Sequence, residues 1–352
     1  MTKQTKVSII GGSGFLSAEL FRNLLPRDDV EIVRVSSKDH IGQNIGQVHR
    51  SMYGLSDLVL EDIAPSECVR DADIAILAMP HIITAKVAME LFDTGVKIID
   101  LSGDFRLKEL SDYQKVYAPE HPCPDRLGTF VYGMPELYAQ EIAAAQYVAN
   151  PGCFATCIAS SLLPLAKSGR LLNANVSVVA MTGSSGSGVH PQAGNHHTIR
   201  SNNIKAYKIF NHQHEPEIIQ TLNAAGASDV NLDFVPVSAP LSRGMMSIAQ
   251  VSVSDSVDEN QLRADYQDYF ADFPLISVLD KGMTPEVVSV KNTSRIEIGL
   301  DLKVDASGRR TLCAIAALDN LIKGGAGQAI QNFNLMTGRD SSYGLLTPGM
   351  WP

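Results

Sequence analysis

In the stretch NPGCFATCIASSLLPL, residues 150–165, a cysteine directly follows Pro-Gly and directly precedes a helical run. Cys153 so placed lies at or just inside the first helical turn, where backbone N–H groups lack internal partners and the dipole is positive. A thiolate is stabilised over a thiol there, as a nucleophile requires; the plainer alternative is a small buried apolar residue. A second group stands in KIFNHQHEPEIIQTL, where His212 and His214 precede Pro216, a residue suited to opening a helix. In an extended segment both imidazoles would point to one side, so spacing does not choose the acid–base group between them. His-x-His is also half a metal site, with His196-His197 as further donors. No carboxylate or cysteine spacing completes that geometry, and no metal is expected.

The third group is IIGGSGFLSAEL, residues 9–20. Gly11, Gly12, Ser13 and Gly14 make a tight turn between a strand and a helix that begins near Phe15 and Leu16, a place where backbone N–H groups meet a pyrophosphate. The next strand ends VRVSSKDH, with Ser36, Ser37 and Lys38 where an NAD enzyme usually carries a ribose-binding carboxylate. Donors and a positive charge suit a 2′-phosphate, which favours NADP(H). A reducing cofactor, a helix-start cysteine and a histidine together describe thioester chemistry: sulfur attacks an activated acyl carbon, a leaving group departs and hydride reduces the thioester.

The elements that must position these groups follow from periodicity. KVSIIGG, VEIVRVSS, DIAILAMP and VKIIDLS are strands, while SAELFRNLLP and ITAKVAMELFDTG are helices. That alternation gives an α/β, Rossmann-type doubly wound parallel sheet over residues 1–150. VSVVAMTG, SIAQVSVS and RIEIGLDLKVD alternate instead, which predicts a second, α+β domain over 151–324 with a mixed or antiparallel sheet. The helical AGQAIQNFNLM returns with 325–352 to complete the first domain. The boundary puts Cys153 at a domain junction, where active sites commonly lie.

Composition narrows the class. With 352 residues, 45% hydrophobic and 19% charged, the chain is that of a soluble globular protein. A net charge of −9 without a basic run argues against nucleic-acid and membrane partners, and no signal peptide or membrane-length segment is evident. Five irregularly spaced cysteines (Cys68, Cys123, Cys153, Cys157, Cys313) form no disulfide framework and suit the reducing cytoplasm.

GGSGFLSAEL, DLSGDFRL, VYGMPEL, NPGCFAT, TGSSGSG, AYKIFNHQHEPEI and DNLIKGGAGQAIQNFNLM occur in that order. Together they resemble the N-acetyl-γ-glutamyl-phosphate reductases of arginine biosynthesis, in the aspartate-semialdehyde dehydrogenase-like superfamily. The resemblance implies NADPH-dependent reductive dephosphorylation of an N-acylated γ-glutamyl phosphate to the semialdehyde, releasing inorganic phosphate, by a cytoplasmic homo-oligomer, dimer or tetramer. It implies Cys153 as nucleophile, His212 as acid–base group, and Arg106 and His214 as substrate-binding residues. Ser185 and Gly186 would line the cofactor, and Asn320 would reach the same cleft.

Phe15, Ser17, the Phe in PGCFAT and the segment APEHPCPDRLGTF depart from the usual family pattern and leave the acyl group open. N-succinyl-glutamyl, carrier-linked glutamyl or aminoadipyl, and aspartyl phosphates present the same reacting carbon. An NADP-binding regulator without chemistry is the non-enzymatic alternative.

Overall fold

A computed structural model of the chain describes residues 4–171, 174–254 and 256–351; the outer bounds expected for the domains, 1 and 352, lie outside these. The chain divides between Gly152 and Cys153. The first unit runs to Gly152 and takes back Gly325–Gly344, while the second comprises Cys153–Gly324 and the chain from Leu345 onward. The expectation that everything from 325 returns to the first unit is therefore corrected at its end, where residues from 345 group with the second. One anchor there is Gly349, packed so tightly on the Ser289 carbonyl that a Cβ would come within 2.2 Å of it.

The first sheet holds β1 (Thr5–Ile10), β2 (Val30–Ser36), β3 (Leu60–Glu61), β4 (Ile74–Leu77), β5 (Lys97–Asp100), β6 (Val131–Tyr132) and β7 (Tyr147–Ala149). All pair in parallel, in the order β3-β2-β1-β4-β5-β7-β6. Parallel strands covered on both faces read as unbroken apolar runs, and all four residues of β4, IAIL, are buried. The order reverses between β1 and β4, the switch point at which such sheets leave a crevice beyond their strand ends. The Phe15–Leu24 helix buries Leu20, Phe21 and Leu24.

The Ile83–Leu91 helix is capped from a distance. Its N-cap residue, Ile82, has φ +70° and no capping side chain of its own. Asp104, fully buried, accepts from the backbone N–H of Ile82 and of Ala85 at 2.8 Å and from the Tyr113 hydroxyl at 3.0 Å. Its charge satisfies first-turn donors that have no partner within the helix.

The second sheet holds β8 (Asn175–Thr182), β9 (Lys205–Ala206), β10 (Asn231–Ser238), β11 (Met245–Val253), β12 (Ile276–Val278), β13 (Ile296–Val304) and β14 (Arg310–Leu318). It is mixed, in the order β12-β13-β14-β11-β8-β10-β9. One face packs under the Cys153–Lys167 helix, in which every residue from Phe154 to Ala166 is buried.

Replacing Asp104 by Ala should lower stability by about 3 kcal/mol, because several buried donors lose one acceptor together. A urea midpoint that falls for Asp104→Ala, with partial recovery in Asp104→Asn, is the expected result.

Candidate active site

Asn150 is held at every polar atom. Its N–H donates to the Asp100 carbonyl at 2.7 Å and its side-chain amide to the Gly325 carbonyl at 3.1 Å. Its carbonyl accepts from Arg106 Nε at 2.8 Å, and its side-chain oxygen from Asn332 at 3.0 Å. Asn332 and Gln328 also both donate to the Gly133 carbonyl, and a Cβ on Gly133 would sit 2.3 Å from Asn332 Nδ2. Four quoted motifs thus meet at one asparagine, three residues before Cys153. Arg106 is buried, with its guanidinium donating to the Asn150 and Leu101 carbonyls; these bonds brace the turn.

Cys153 is the first residue of its 15-residue helix and is partly exposed. The backbone of Gly324 lies against it, so that an added Cβ would come within 2.7 Å of Cys153 Cβ. The other cysteines are poorly suited to nucleophilic work. Burial raises the thiols of Cys68 and Cys313, pushes Cys123 up to about 11 and, despite hydrogen bonding with Ser247, takes Cys157 to about 12.

The histidine segment is a turn running into the Glu215–Ala224 helix, with His214 in αR conformation at the N-cap. An extended segment is thereby ruled out, and with it the simple picture of two imidazoles on one side. The ring centroids lie 4.8 Å apart at 74°, and Phe154, next to Cys153, meets both edge-on at 5.1 and 6.1 Å. His212 is 3% exposed. Burial, followed by the charges of His214 and Lys208, lowers its pKa to about 2. Its Nδ1 accepts the backbone N–H of His214 at 3.1 Å. Tyr207, not singled out from the sequence, lies 5.9 Å from the His212 ring; burial and the Cys153 sulfur both raise its phenol.

Asn320 and Ser185 are joined, Nδ2 to Oγ at 3.0 Å, while Asn320 Oδ1 accepts the Gly244 N–H at 2.7 Å. The neighbouring Asp319 is fully buried and takes the N–H groups of Asn292, Leu321 and Ile322, with Arg243 as its ion-pair partner. Asn320 therefore ties down the start of the TGSSGSG loop, which becomes exposed from Gly186 onward.

In the glycine turn, Gly11 has φ +98°, and a Cβ there would lie 2.6 Å from the Ala78 carbonyl oxygen. The N–H groups of Gly11 and Gly12 donate to the Ser36 carbonyl. Ser17, standing in for a glycine, donates to the Gly11 carbonyl at 2.7 Å, and His49 Nε2 holds the Gly12 carbonyl at 2.8 Å. Gly14 then leads into the helix at Phe15 and Leu16. This cradle fits a dinucleotide. At the end of β2, Ser37 Oγ meets Ser13 Oγ at 3.2 Å and Lys38 pairs with Asp62. Ser36 and Ser37 are both buried at this strand end.

Two domain families match the chain, the semialdehyde dehydrogenase NAD binding domain over residues 6–145 and the semialdehyde dehydrogenase dimerisation domain over 153–320. N-acetyl-gamma-glutamyl-phosphate reductase of Pelotomaculum thermopropionicum is 36% identical over 349 residues, 99% of either chain. The enzyme of that name from Acinetobacter baumannii is 35% identical over 351 residues, 98% of this chain and 99% of the other. The chain belongs to the N-acetyl-gamma-glutamyl-phosphate reductase family. Like other N-acetyl-gamma-glutamyl-phosphate reductases it is an oxidoreductase with a nicotinamide-binding domain. Its fold is that of aspartate semialdehyde dehydrogenase II of Vibrio cholerae, with TM-score 0.72 at 16% identity over 96% of this chain and 99% of that one. Among the described residues no helix is long and apolar enough to cross a membrane, and no cluster of metal-ligating side chains occurs.

Iodoacetamide near neutral pH should label Cys153 first and Cys157 last, read by peptide mass spectrometry. Gly324→Ala should push Cys153 out of place and cut turnover about 10²-fold.

Proposed function

We propose that the chain catalyses NADPH-dependent reductive dephosphorylation of N-acetyl-γ-glutamyl phosphate to the semialdehyde, as a cytoplasmic step of arginine biosynthesis. The observation that carries this reading is Cys153 at the first position of a long helix, entered from a turn braced by Arg106 and Asn332. The Cys153 thiolate attacks the acyl carbon, the C–O bond to phosphate breaks and a thioester forms. A nicotinamide nucleotide held at the Gly11–Gly14 cradle would supply the hydride that reduces this thioester. The thiohemiacetal on Cys153 collapses to the aldehyde and returns the electron pair to sulfur. His212, packed with His214 beside Phe154, is the polar group for the acyl oxygen, and His214 orients it. Arg106 acts by holding the turn rather than by gripping phosphate, since its guanidinium already serves backbone carbonyls.

The preference for NADP(H) rests on Ser37 and Lys38, with the Lys38–Asp62 pair opening to receive a 2′-phosphate. Self-association is supported by an aliphatic row across the second sheet. Val235, Val179, Ile248 and Ile315 are register neighbours on four adjacent strands, all incompletely buried, with Val179 44% exposed. Such a face is what one copy offers another.

The deciding assay supplies NADP, phosphate and a panel of N-acetyl, N-succinyl and carrier-linked glutamate semialdehydes, together with aspartate semialdehyde. Fastest phosphate-dependent turnover of the N-acetyl compound is expected; a different winner reassigns the acyl group. Cys153→Ser should abolish turnover while NADP binding survives, because a serine hydroxyl is scarcely ionised near neutral pH. Lys38→Glu should weaken NADP more than NAD, and equal losses would remove Lys38 from cofactor selection. Ile248→Asp should shift the chain to a smaller species in sedimentation.

A further inference from the structure

Among the described residues, Arg200 is a cation without an anion. It ends the short His197–Arg200 helix, between the TGSSGSG loop and β9. The residue is half-buried, and no described carboxylate pairs with it. Its guanidinium makes one hydrogen bond within the described chain, from Nη2 to the Thr182 carbonyl at 2.8 Å, while Nε is shielded from solvent and makes none. A single neutral carbonyl does not offset a charge withdrawn from water. Arg243, by contrast, is answered by Asp319. Thr182 is itself incomplete: its hydroxyl is buried and has no hydrogen-bond partner among the described residues. A Cβ placed on Gly186 would lie 3.8 Å from that hydroxyl and 3.7 Å from Asn320 Nδ2, so polar side chains gather where the loop leaves β8.

Arg200 is also linked to the reacting groups. Its charge acts on the Tyr207 phenol, opposing the rise that burial and the Cys153 sulfur impose there. The Tyr207 ring stands 5.9 Å from that of His212. The charges acting on His212 itself are those of His214 and Lys208. Arg200 is therefore one side chain removed from the chemistry, with Tyr207 as the link.

We propose that Arg200 is a specificity-determining residue that receives the non-reacting carboxylate of the substrate. This rests on the reductase reading above and names the part of the acyl phosphate that the second unit recognises. An N-acylated γ-glutamyl phosphate carries two anionic groups. The phosphate is bonded to the reacting carbon and departs beside Cys153. The α-carboxylate lies three carbons farther along the molecule, set back from the reaction as Arg200 is. A planar guanidinium suits a carboxylate, and the Thr182 carbonyl holds the fork in place before the ligand arrives. An aldehyde without that carboxylate leaves the charge uncompensated, a strong basis for rejecting it.

The test compares N-acetylglutamate semialdehyde with N-acetyl-4-aminobutanal, the same aldehyde lacking the carboxylate, each oxidised with NADP and phosphate. Wild type should favour the carboxylated aldehyde by about 100-fold in kcat/KM. Arg200→Gln should narrow that ratio by about tenfold or more, through the KM for the semialdehyde and not the KM for phosphate. Arg200→Lys, which keeps the charge and loses the fork, should fall between the two. An unchanged ratio, or a loss carried by the phosphate KM, would overturn the proposal. A second arm needs no turnover: N-acetylglutamate should protect Cys153 from iodoacetamide at about tenfold lower concentration in wild type than in Arg200→Gln. In that arm 4-acetamidobutyrate, which lacks the α-carboxylate, should protect both chains alike. Protection by N-acetylglutamate that is absent, or equal in the two chains, would also overturn the role of Arg200. A wild-type chain inert toward every N-acyl semialdehyde would instead overturn the reductase reading, with Arg200 still decided by protection.

Discussion

Asn150 is the constraint on which the entry to the Cys153–Lys167 helix depends. A nucleophile at a helix start is useful only if the preceding turn does not wander, and Pro-Gly alone does not guarantee that. Here the residue before Pro151 spends its N–H, its carbonyl and both ends of its side chain on Asp100, Arg106, Gly325 and Asn332. Each bond is buried, so leaving any one unmade would cost about 1–3 kcal/mol, and the set behaves as one latch. Gly133 has no side chain because Asn332 occupies the space a Cβ would need.

The second unit likewise fixes its buried polar side chains by main-chain contacts. Asp319 and Asn320, at the end of β14, tie together the strand ends and the loop after β8 through main-chain groups. His212 is fixed by the peptide two residues on. Buried polar groups without that degree of satisfaction would destabilise the fold instead.

Much of this was legible in the residues. Strand–helix alternation identified the doubly wound sheet, and Pro-Gly before an apolar run located the helix start at Cys153. Two central strands were less visible: β10 contains Pro236, which argues against a strand, and β14 is a nearly continuous apolar run that matches helix and strand templates equally well. The roles of Arg106 and Asn320 were hidden because each meets a main-chain atom more than 40 residues away along the chain, and sequence patterns carry no record of which backbone group a side chain will meet. Asp104 was overlooked for the same reason, since it caps a helix that begins 21 residues before it. Gly324 and Tyr207 sat inside these motifs, but only the packing of Gly324 on Cys153 and of the Tyr207 ring near His212 distinguishes them from their neighbours.

The return of Gly325–Gly344 to the first unit has a consequence in time rather than in space. A ribosome releases β1 to β7 and the second unit as far as Gly324 before it releases Gln328 and Asn332. Until then the Gly133 carbonyl and the Asn150 side chain lack the partners they have in the finished fold, so the latch stays open through most of synthesis. N-terminal segments usually fold first as they emerge. In this chain the segment containing the nucleotide cradle must wait for the last tenth of the polypeptide before its final turn, the one leading into Cys153, can close.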